Sequence, residues 1–187
     1  YFIGLTNVEL EQSMNRYYNQ KITEYLDELE KVGRFTQYAN RGQTNPQTIR
    51  RQHALGKKGE CLAYDLLMHR GYDHRIEPDF TVTETHGFDN DLDYGSMPPV
   101  HVKTKEPSDR WGLSWTFQST DPALRRPGDT VALVVLASPT FAEGQVAAVL
   151  PMQQVAGLLR DPEMAHVRGK RVLYWEDFGI ATTGALF

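Results

Sequence analysis

Acidic and basic side chains alternate along two neighbouring segments in the middle of the chain. The segment 88–94 has an acid at every second position, and the segment 100–105 alternates His101, Lys103 and Lys105 with Val100, Val102 and Thr104. Side chains of a strand alternate between its two faces, so each charged set would lie on one face. Consecutive strands joined by a turn usually pair, so the acids are expected to meet the histidine and the lysines.

This combination of side chains is typical of phosphodiester hydrolysis. Carboxylates are natural ligands of Mg²⁺ or Mn²⁺, and a bound metal polarises a phosphate oxygen and lowers the pKa of a bound water. A lysine beside the metal can orient the water or stabilise the charge of the transition state. Lys103 stands two residues after His101 and would point the same way. The pattern therefore predicts metal-dependent chemistry on a phosphate ester.

The charges flanking this region are unevenly distributed. Residues 41–75 are rich in Lys and Arg, whereas residues 77–93 carry acids and no Lys or Arg, within a net charge of −4. Acids would hold cations, and bases would neutralise phosphates. Lys57 and Lys58, close to Glu60 in a predicted helix, are candidate phosphate contacts.

Bulk composition limits the protein class. The 187 residues suffice for one domain with a substantial core, and no apolar run approaches the length of a membrane span. The single cysteine, Cys61, excludes an internal disulfide and a zinc finger and is typical of a reducing compartment. With no secretory signal at the start, a cytoplasmic location is expected. A Gly-rich phosphate loop and a Gly-x-Ser-x-Gly elbow are both missing from the sequence.

Periodicity predicts helices first and then a run of strands. The predicted elements are helices over 6–33 and 46–69, strands over 74–85, 88–94, 100–105, 113–118, 130–137 and 145–150, a short helix over 151–159 and a strand over 172–175. The apolar run 130–137 is expected at the centre of the sheet. This order predicts an α+β or mixed α/β fold around one sheet, with a helical extension over 1–45 and the main domain over 46–187.

Three of these segments together resemble the PD-(D/E)xK nuclease superfamily. Residues 56–72, with Gly56, Gly59 and Glu60, are similar to its first core helix. Asp91-Leu92 looks like its metal-binding aspartate, and Val100-His-Val-Lys-Thr104 resembles its frequent Val-Glu-Val-Lys-Thr strand. The resemblance covers roughly residues 56–118.

The resemblance implies a fold, an activity and a site. The fold would be a restriction-endonuclease-like mixed sheet of four or five strands flanked by helices. The activity would be DNA cleavage by an endonuclease that uses Mg²⁺ or Mn²⁺ and is compatible with a homodimer. The implied catalytic residues are Glu60, Asp91, His101 and Lys103, of which the first three would bind the metal. The implied DNA contacts are Lys57, Lys58, Lys105 and Gln118.

One departure from the superfamily pattern leaves alternatives open. His101 replaces the acid before x-Lys. A neutral imidazole prefers Mn²⁺, Fe²⁺ or Zn²⁺ to Mg²⁺, so the metal could be softer. Alternatively, a neighbouring acid, Asp89 or Asp93, supplies the missing carboxylate, or the site has lost its chemistry and only DNA binding remains.

Further assignments also stay open. Asp93, or Asp79 after Pro78, could be the principal metal-binding aspartate instead of Asp91. A function of a different class is a structural protein whose tyrosine-rich first helix, with Tyr17, Tyr18 and Tyr25, binds a partner.

Overall fold

The protein combines helices with two β-sheets, which confirms the predicted mixed α and β class. The computed structural model describes residues 1–39, 45–71, 78–82, 91–92, 98–106, 113–136, 142–162 and 169–178. The helices are α1 (Gln12–Lys31), α2 (Arg34–Ala39), α3 (Pro46–His69) and α4 (Met152–Leu158), with 3-10 turns at Pro122–Arg125 and Trp175–Phe178. The strands are β1 (Phe2–Glu9), β2 (Val100–Lys105), β3 (Ser114–Gln118), β4 (Thr130–Val135), β5 (Glu143–Pro151) and β6 (Lys170–Tyr174). Among the helices so described, none is long and apolar enough to cross a bilayer.

The larger sheet is mixed, with the strand order β1-β5-β4-β2. β2 runs parallel to β4, and β4 and β5 and then β5 and β1 pair antiparallel. β4 is an inner strand with every residue buried, as predicted from its apolar run. β3 and β6 form a separate antiparallel pair.

The two faces of the larger sheet contact different elements. Val102 and Val134 belong to a core cluster with α3, whereas Val131 and Leu133 belong to a second cluster with α4 and the β3-β6 pair. The indole Nε1 of Trp115 donates to a β4 carbonyl at 3.1 Å and ties the second cluster to the sheet. Because side chains alternate along β2, neighbouring residues of this strand lie on opposite faces of the sheet, one facing α3 and the other facing α4 and the β3-β6 pair.

Helix α3 begins and ends where its local sequence predicts. The Asn45 side chain accepts hydrogen bonds from the amides of Gln47 at 2.9 Å and Thr48 at 3.2 Å, and Pro46 occupies the first turn. Gly71, just after the helix, has φ +78°, which glycine adopts at little cost. The prediction of a helix over 46–69 is confirmed.

The prediction of a helix over 6–33 is wrong at its start. Residues 2–9 form β1, which pairs with β5, and α1 begins only at Gln12. Val8 and Leu10 are buried, and their spacing of two is that of one strand face; the apolar residues recur at helical spacing only from Leu10 onward. Pairing with β5 decides the outcome, so the first 45 residues contribute an edge strand to the sheet as well as helices.

Two predicted strands lie mostly outside the described residues. Of the predicted strands 74–85 and 88–94, the structure describes only 78–82 and 91–92. Within this part Leu92 forms an antiparallel bridge with Val100, by hydrogen bonds of 3.0 and 2.8 Å. The edge of β2 that faces away from β4 is therefore paired at this point.

Candidate active site

Glu60 lies buried in the middle of α3. Burial raises the pKa of its carboxyl to about 8, because the charged form loses its hydration. The nearby carboxylates of Asp91 and Asp79 raise this pKa further, and the ammonium of Lys57 lowers it only in part. The carboxylate of Asp91 is thus close enough to Glu60 to act on it electrostatically, and burial disfavours the negative charge of Glu60.

Asp91 is fixed at the edge of β2. Its Oδ2 accepts a hydrogen bond from the backbone amide of Val102 at 2.6 Å, next to the bridge between Leu92 and Val100. The carboxylate thereby takes the place that a backbone carbonyl of a paired strand would occupy. This hydrogen bond to the strand holds the Asp91 carboxylate in position.

Lys57 stands one helical turn before Glu60 and supplies a positive charge. Its Nζ donates to Glu60 Oε2 at 2.8 Å and to the backbone carbonyl of Asp79 at 2.7 Å. It also lies over the rings of Tyr25 at 5.1 Å and Phe80 at 5.9 Å. Burial disfavours the lysine charge, yet Glu60 outweighs this effect and the pKa of Lys57 is raised.

We call this group the acidic pocket. It consists of the carboxylates of Glu60 and Asp91, the backbone carbonyl of Asp79 and the Lys57 ammonium among them. The carboxylate of Asp79 is used locally, because its Oδ1 accepts from the amide of Thr81 at 2.8 Å. Asp79, the alternative metal-binding aspartate, therefore presents its backbone oxygen to the pocket.

His101 does not join the acidic pocket. Its Nε2 lies 2.8 Å from Asp129 Oδ2, and both side chains are buried. Asp129 also faces the guanidinium of Arg126 at 3.1 Å. His101 is aligned with Val131 of β4, on the sheet face away from α3. The expectation that His101 shares a metal with Glu60 is therefore corrected: a buried aspartate at the start of β4 already holds its ring.

Lys103 lies on the same face as His101. Its Nζ is 3.5 Å from Asp121 Oδ2 and 5.4 Å from the centre of the Phe117 ring. The four predicted catalytic residues thus form two groups. Glu60 and Asp91 belong to the acidic pocket, and His101 and Lys103 each face a different aspartate.

The predicted DNA contacts have varied surroundings. Lys58 is fully buried, and its Nζ donates to the side chains of Asn15 and, at 3.0 Å, Asn19 on α1. The expectation that Lys58 binds phosphate is therefore corrected, because a turn of about 100° per residue points it at α1 while Lys57 points at the pocket. Lys105 is half-buried, and burial lowers its pKa.

Gln118 is exposed at the end of β3. Phe117, the residue before it, is buried and faces Lys103. Side chains alternate along a strand, so Gln118 points to the opposite side of the β3-β6 pair. The structure therefore places Gln118 away from both the acidic pocket and Lys103.

The pocket fits a divalent cation in a restricted way. In the described ranges, no group of three or more His, Cys, Asp or Glu side chains is arranged to hold a metal. Mg²⁺ keeps several waters and commonly binds proteins through one or two carboxylates, so Glu60 and Asp91 suit it. His101 does not fit as a ligand while Asp129 holds it. Asp89 and Asp93, proposed as substitutes for the missing acid, lie outside the described residues.

The His101–Asp129 pair predicts a loss of stability on Asp129→Ala. The substitution leaves the buried His101 Nε2 without its acceptor, and the expected loss in the free energy of unfolding is about 2 kcal/mol. Urea denaturation measures it. Asp161→Ala is the control, because Asp161 pairs with Arg171 while almost fully exposed and should cost little. Equal effects of the two variants would contradict a stabilising role of the buried pair.

Two parts of the arrangement were missed from the sequence. A Lys–Glu pair three residues apart at 57 and 60 was visible, but it was interpreted as a phosphate contact beside a metal ligand. Asp129 directly precedes the apolar strand β4, and only the parallel pairing of β2 with β4 brings it to His101.

Comparison with known proteins returned no relative: no family model, no curated protein and no solved structure matches the chain. The chemistry of the acidic pocket and the resemblance of the sequence motifs therefore bear on the function of this chain.

Proposed function

We propose that the chain is a metal-dependent endonuclease that hydrolyses DNA phosphodiester bonds. The observation that carries the proposal is the burial of Glu60 beside Asp91, with the pKa of Glu60 raised to about 8. A strongly shifted carboxyl with a specific charged neighbour is typical of a functional site. A divalent cation between the two carboxylates would remove their repulsion.

Glu60 and Asp91 would hold Mg²⁺ or Mn²⁺ in this proposal. The metal, when bound, would supply an activated water and would stabilise charge on the phosphate. Asp91 is already oriented by the Val102 amide, so its carboxylate would need little rearrangement. Glu60 would have to be ionised to bind the metal, and this predicts cleavage that increases with pH through about 8 and levels off above that value.

Lys103 would assist the attacking water only after a movement. Its ammonium would exchange Asp121, 3.5 Å away, for the substrate phosphate or the water. Lys103 directly follows Val102, whose amide holds Asp91, so its backbone is next to the pocket. The Lys103 side chain starts on the sheet face away from α3, so its flexible four-carbon stem would have to bend around the edge of β2 to reach the water.

His101 would position the strand without binding the metal. Its bond to Asp129 ties β2 to the start of β4. Two carboxylates with a backbone carbonyl nearby are hard oxygen ligands, which favours Mg²⁺ over the softer metals that imidazole prefers. Of the alternatives for the missing acid, an all-oxygen site is thus the better supported.

A second candidate is a DNA-binding module on the same fold that has lost its chemistry. The observation that favours it is that His101 and Lys103 each face their own aspartate, outside the acidic pocket. This candidate predicts retention of DNA in a gel shift at low salt without cleavage by any metal.

Incubation of the protein with supercoiled plasmid and Mg²⁺, Mn²⁺ or Co²⁺ tests the enzyme. Asp91→Asn removes a ligand charge and is expected to slow nicking by at least about 100-fold, more than the loss of an outer-shell group. Lys103→Ala is expected to slow it as well. Asp161→Asn, at an exposed acid, is the matched control and should nick normally.

Two outcomes would count against the enzyme. If the wild type fails to nick the plasmid with each of the three metals, the enzyme is ruled out and the DNA-binding module remains. Equal nicking by wild type and Asp91→Asn would show that the acidic pocket does not carry the reaction.

A further inference from the structure

We propose that the Lys57 ammonium is the resident cation of the acidic pocket and that a divalent metal binds by displacing it. The inference rests on the proposed function, since it concerns the same pair of carboxylates. It adds a competitor built into the chain, which would keep the pocket closed to metal until the lysine leaves.

The contacts of Lys57 overlap those that a metal would need. Its Nζ lies 2.8 Å from Glu60 Oε2 and 2.7 Å from the Asp79 carbonyl oxygen. These are the kinds of oxygen that Mg²⁺ binds, and Asp91 completes the negative side of the pocket. A metal ion on these oxygens would lie within a few ångströms of the ammonium, and the two positive charges would repel each other, so binding of one disfavours the other.

The remaining contacts of Lys57 allow it to leave. The rings of Tyr25 and Phe80 lie under the ammonium, at 5.1 and 5.9 Å, as cation–π partners. Among the described residues, Glu60 is the acid with which Lys57 forms an ion pair. The Lys57 side chain is 14% exposed, so solvent is within reach of its stem. Metal binding at Glu60 would remove the strongest hold on the lysine.

Lys58 serves as an internal reference. Its ammonium is anchored to Asn15 and Asn19 on α1, away from the acidic pocket. Displacement by metal should therefore expose Lys57 and leave Lys58 unchanged, although the two residues are adjacent in the sequence.

The first test is Mg²⁺ binding by calorimetry from pH 9 upward, to the pH at which each protein's affinity becomes constant, because loss of the Lys57 ammonium raises the pKa of Glu60 beyond its wild-type value of about 8. Removing a competing internal cation increases the fraction of binding-competent protein, so Lys57→Met is expected to bind Mg²⁺ at least about tenfold more tightly. Lys57→Arg, which retains the charge, should bind no more tightly than wild type. Lys21→Met, which removes an exposed lysine paired with Glu24 at the same spacing, is the control and should not change the affinity.

The second test uses the wild-type protein and does not depend on the folding of a variant. Acetylation of the Lys57 amine, measured by mass spectrometry, should increase as Mg²⁺ is added. The Mg²⁺ concentration at half-maximal acetylation should equal that at half-maximal Mg²⁺ binding. Lys58 should stay protected throughout.

The outcomes separate this inference from the proposed function. Tighter Mg²⁺ binding by Lys57→Met, with Lys57 exposed by Mg²⁺, supports displacement. If the wild type binds Mg²⁺ and Lys57→Met binds it with equal or weaker affinity, displacement is overturned and the metal site stands. Unchanged labelling of Lys57 on Mg²⁺ binding has the same consequence. If neither the wild type nor Lys57→Met binds Mg²⁺, the metal site and the displacement of Lys57 are both ruled out.

Discussion

Glu60→Gln is expected to make the protein more stable at pH 8 and at the same time to abolish DNA cleavage. Glutamine has nearly the shape of the protonated carboxyl but cannot ionise. The wild-type carboxyl has a pKa of about 8 when folded, against an ordinary value of 4.5. Cleavage should fall at least about 100-fold, because the substitution removes one of the two proposed metal ligands.

The sign of the pH effect follows from which state holds the proton more tightly. A raised pKa means that the folded protein binds the Glu60 proton more strongly than the unfolded chain does. Its stabilising contribution is complete below about pH 4.5 and is lost as the pH increases through about 8. Glu60→Gln does not lose this contribution. The difference in the free energy of unfolding between the variant and the wild type should therefore grow from about pH 4.5 to about pH 8, reaching on the order of 3 kcal/mol.

Thermal unfolding of both proteins between pH 4 and pH 9 measures the effect. The midpoint difference should approach zero at the acid end and reach roughly 5–10 °C at the alkaline end for a protein of this size. Asp161→Asn, at an exposed acid, should show no such trend. A variant less stable than wild type at pH 8 would contradict the predicted cost of ionising Glu60. Saturating Mg²⁺ should narrow the difference by stabilising only the wild type.

Gly59→Ala is expected to cost about 3 kcal/mol or more in the free energy of unfolding. A Cβ at this position would lie 1.8 Å from Thr104 Oγ1 and 2.8 Å from Thr104 Cβ. Either α3 must move away from β2 or the strand must distort, and such overpacking typically costs about 1–3 kcal/mol and sometimes more. Glu60 follows directly on the helix, so the same shift would displace the proposed metal ligand.

Gly56→Ala provides the matched control on the same helix. A Cβ at Gly56 has no atom within 4 Å, so alanine should stabilise the helix by about 1 kcal/mol. Adding Thr104→Ala to Gly59→Ala removes the nearest clashing atom, so this double variant should recover part of the stability that Gly59→Ala loses. Urea denaturation of the four proteins measures these differences. Gly59→Ala as stable as Gly56→Ala would show that α3 does not approach β2 as closely as described.

The sequence by itself determined those elements whose signals are local. The cap at Asn45 and Pro46 set the start of α3, and Gly71 marked its end. The apolar run at 130–137 predicted an inner strand, because only a strand covered on both faces can be apolar throughout. The 100–105 strand followed from alternation alone.

Tertiary structure decided which side chains meet. The predicted first helix included residues 6–9, and pairing along the edge of β5 makes these residues part of a strand. Alternation along the sequence predicted which side chains of β2 share a face, but it did not predict which elements pack against each face. His101 met Asp129, 28 residues away, because β2 and β4 run parallel and Asp129 directly precedes β4.

The candidate site divides along the same line. The resemblance of the sequence motifs implied that Glu60 and Asp91 share a site, and Asp91 acts electrostatically on the buried Glu60. It did not predict the Lys57 ammonium between them or the aspartates that hold His101 and Lys103. The two aspartates come from segments distant in the chain, and only the folded sheet brings them within a few ångströms of His101 and Lys103.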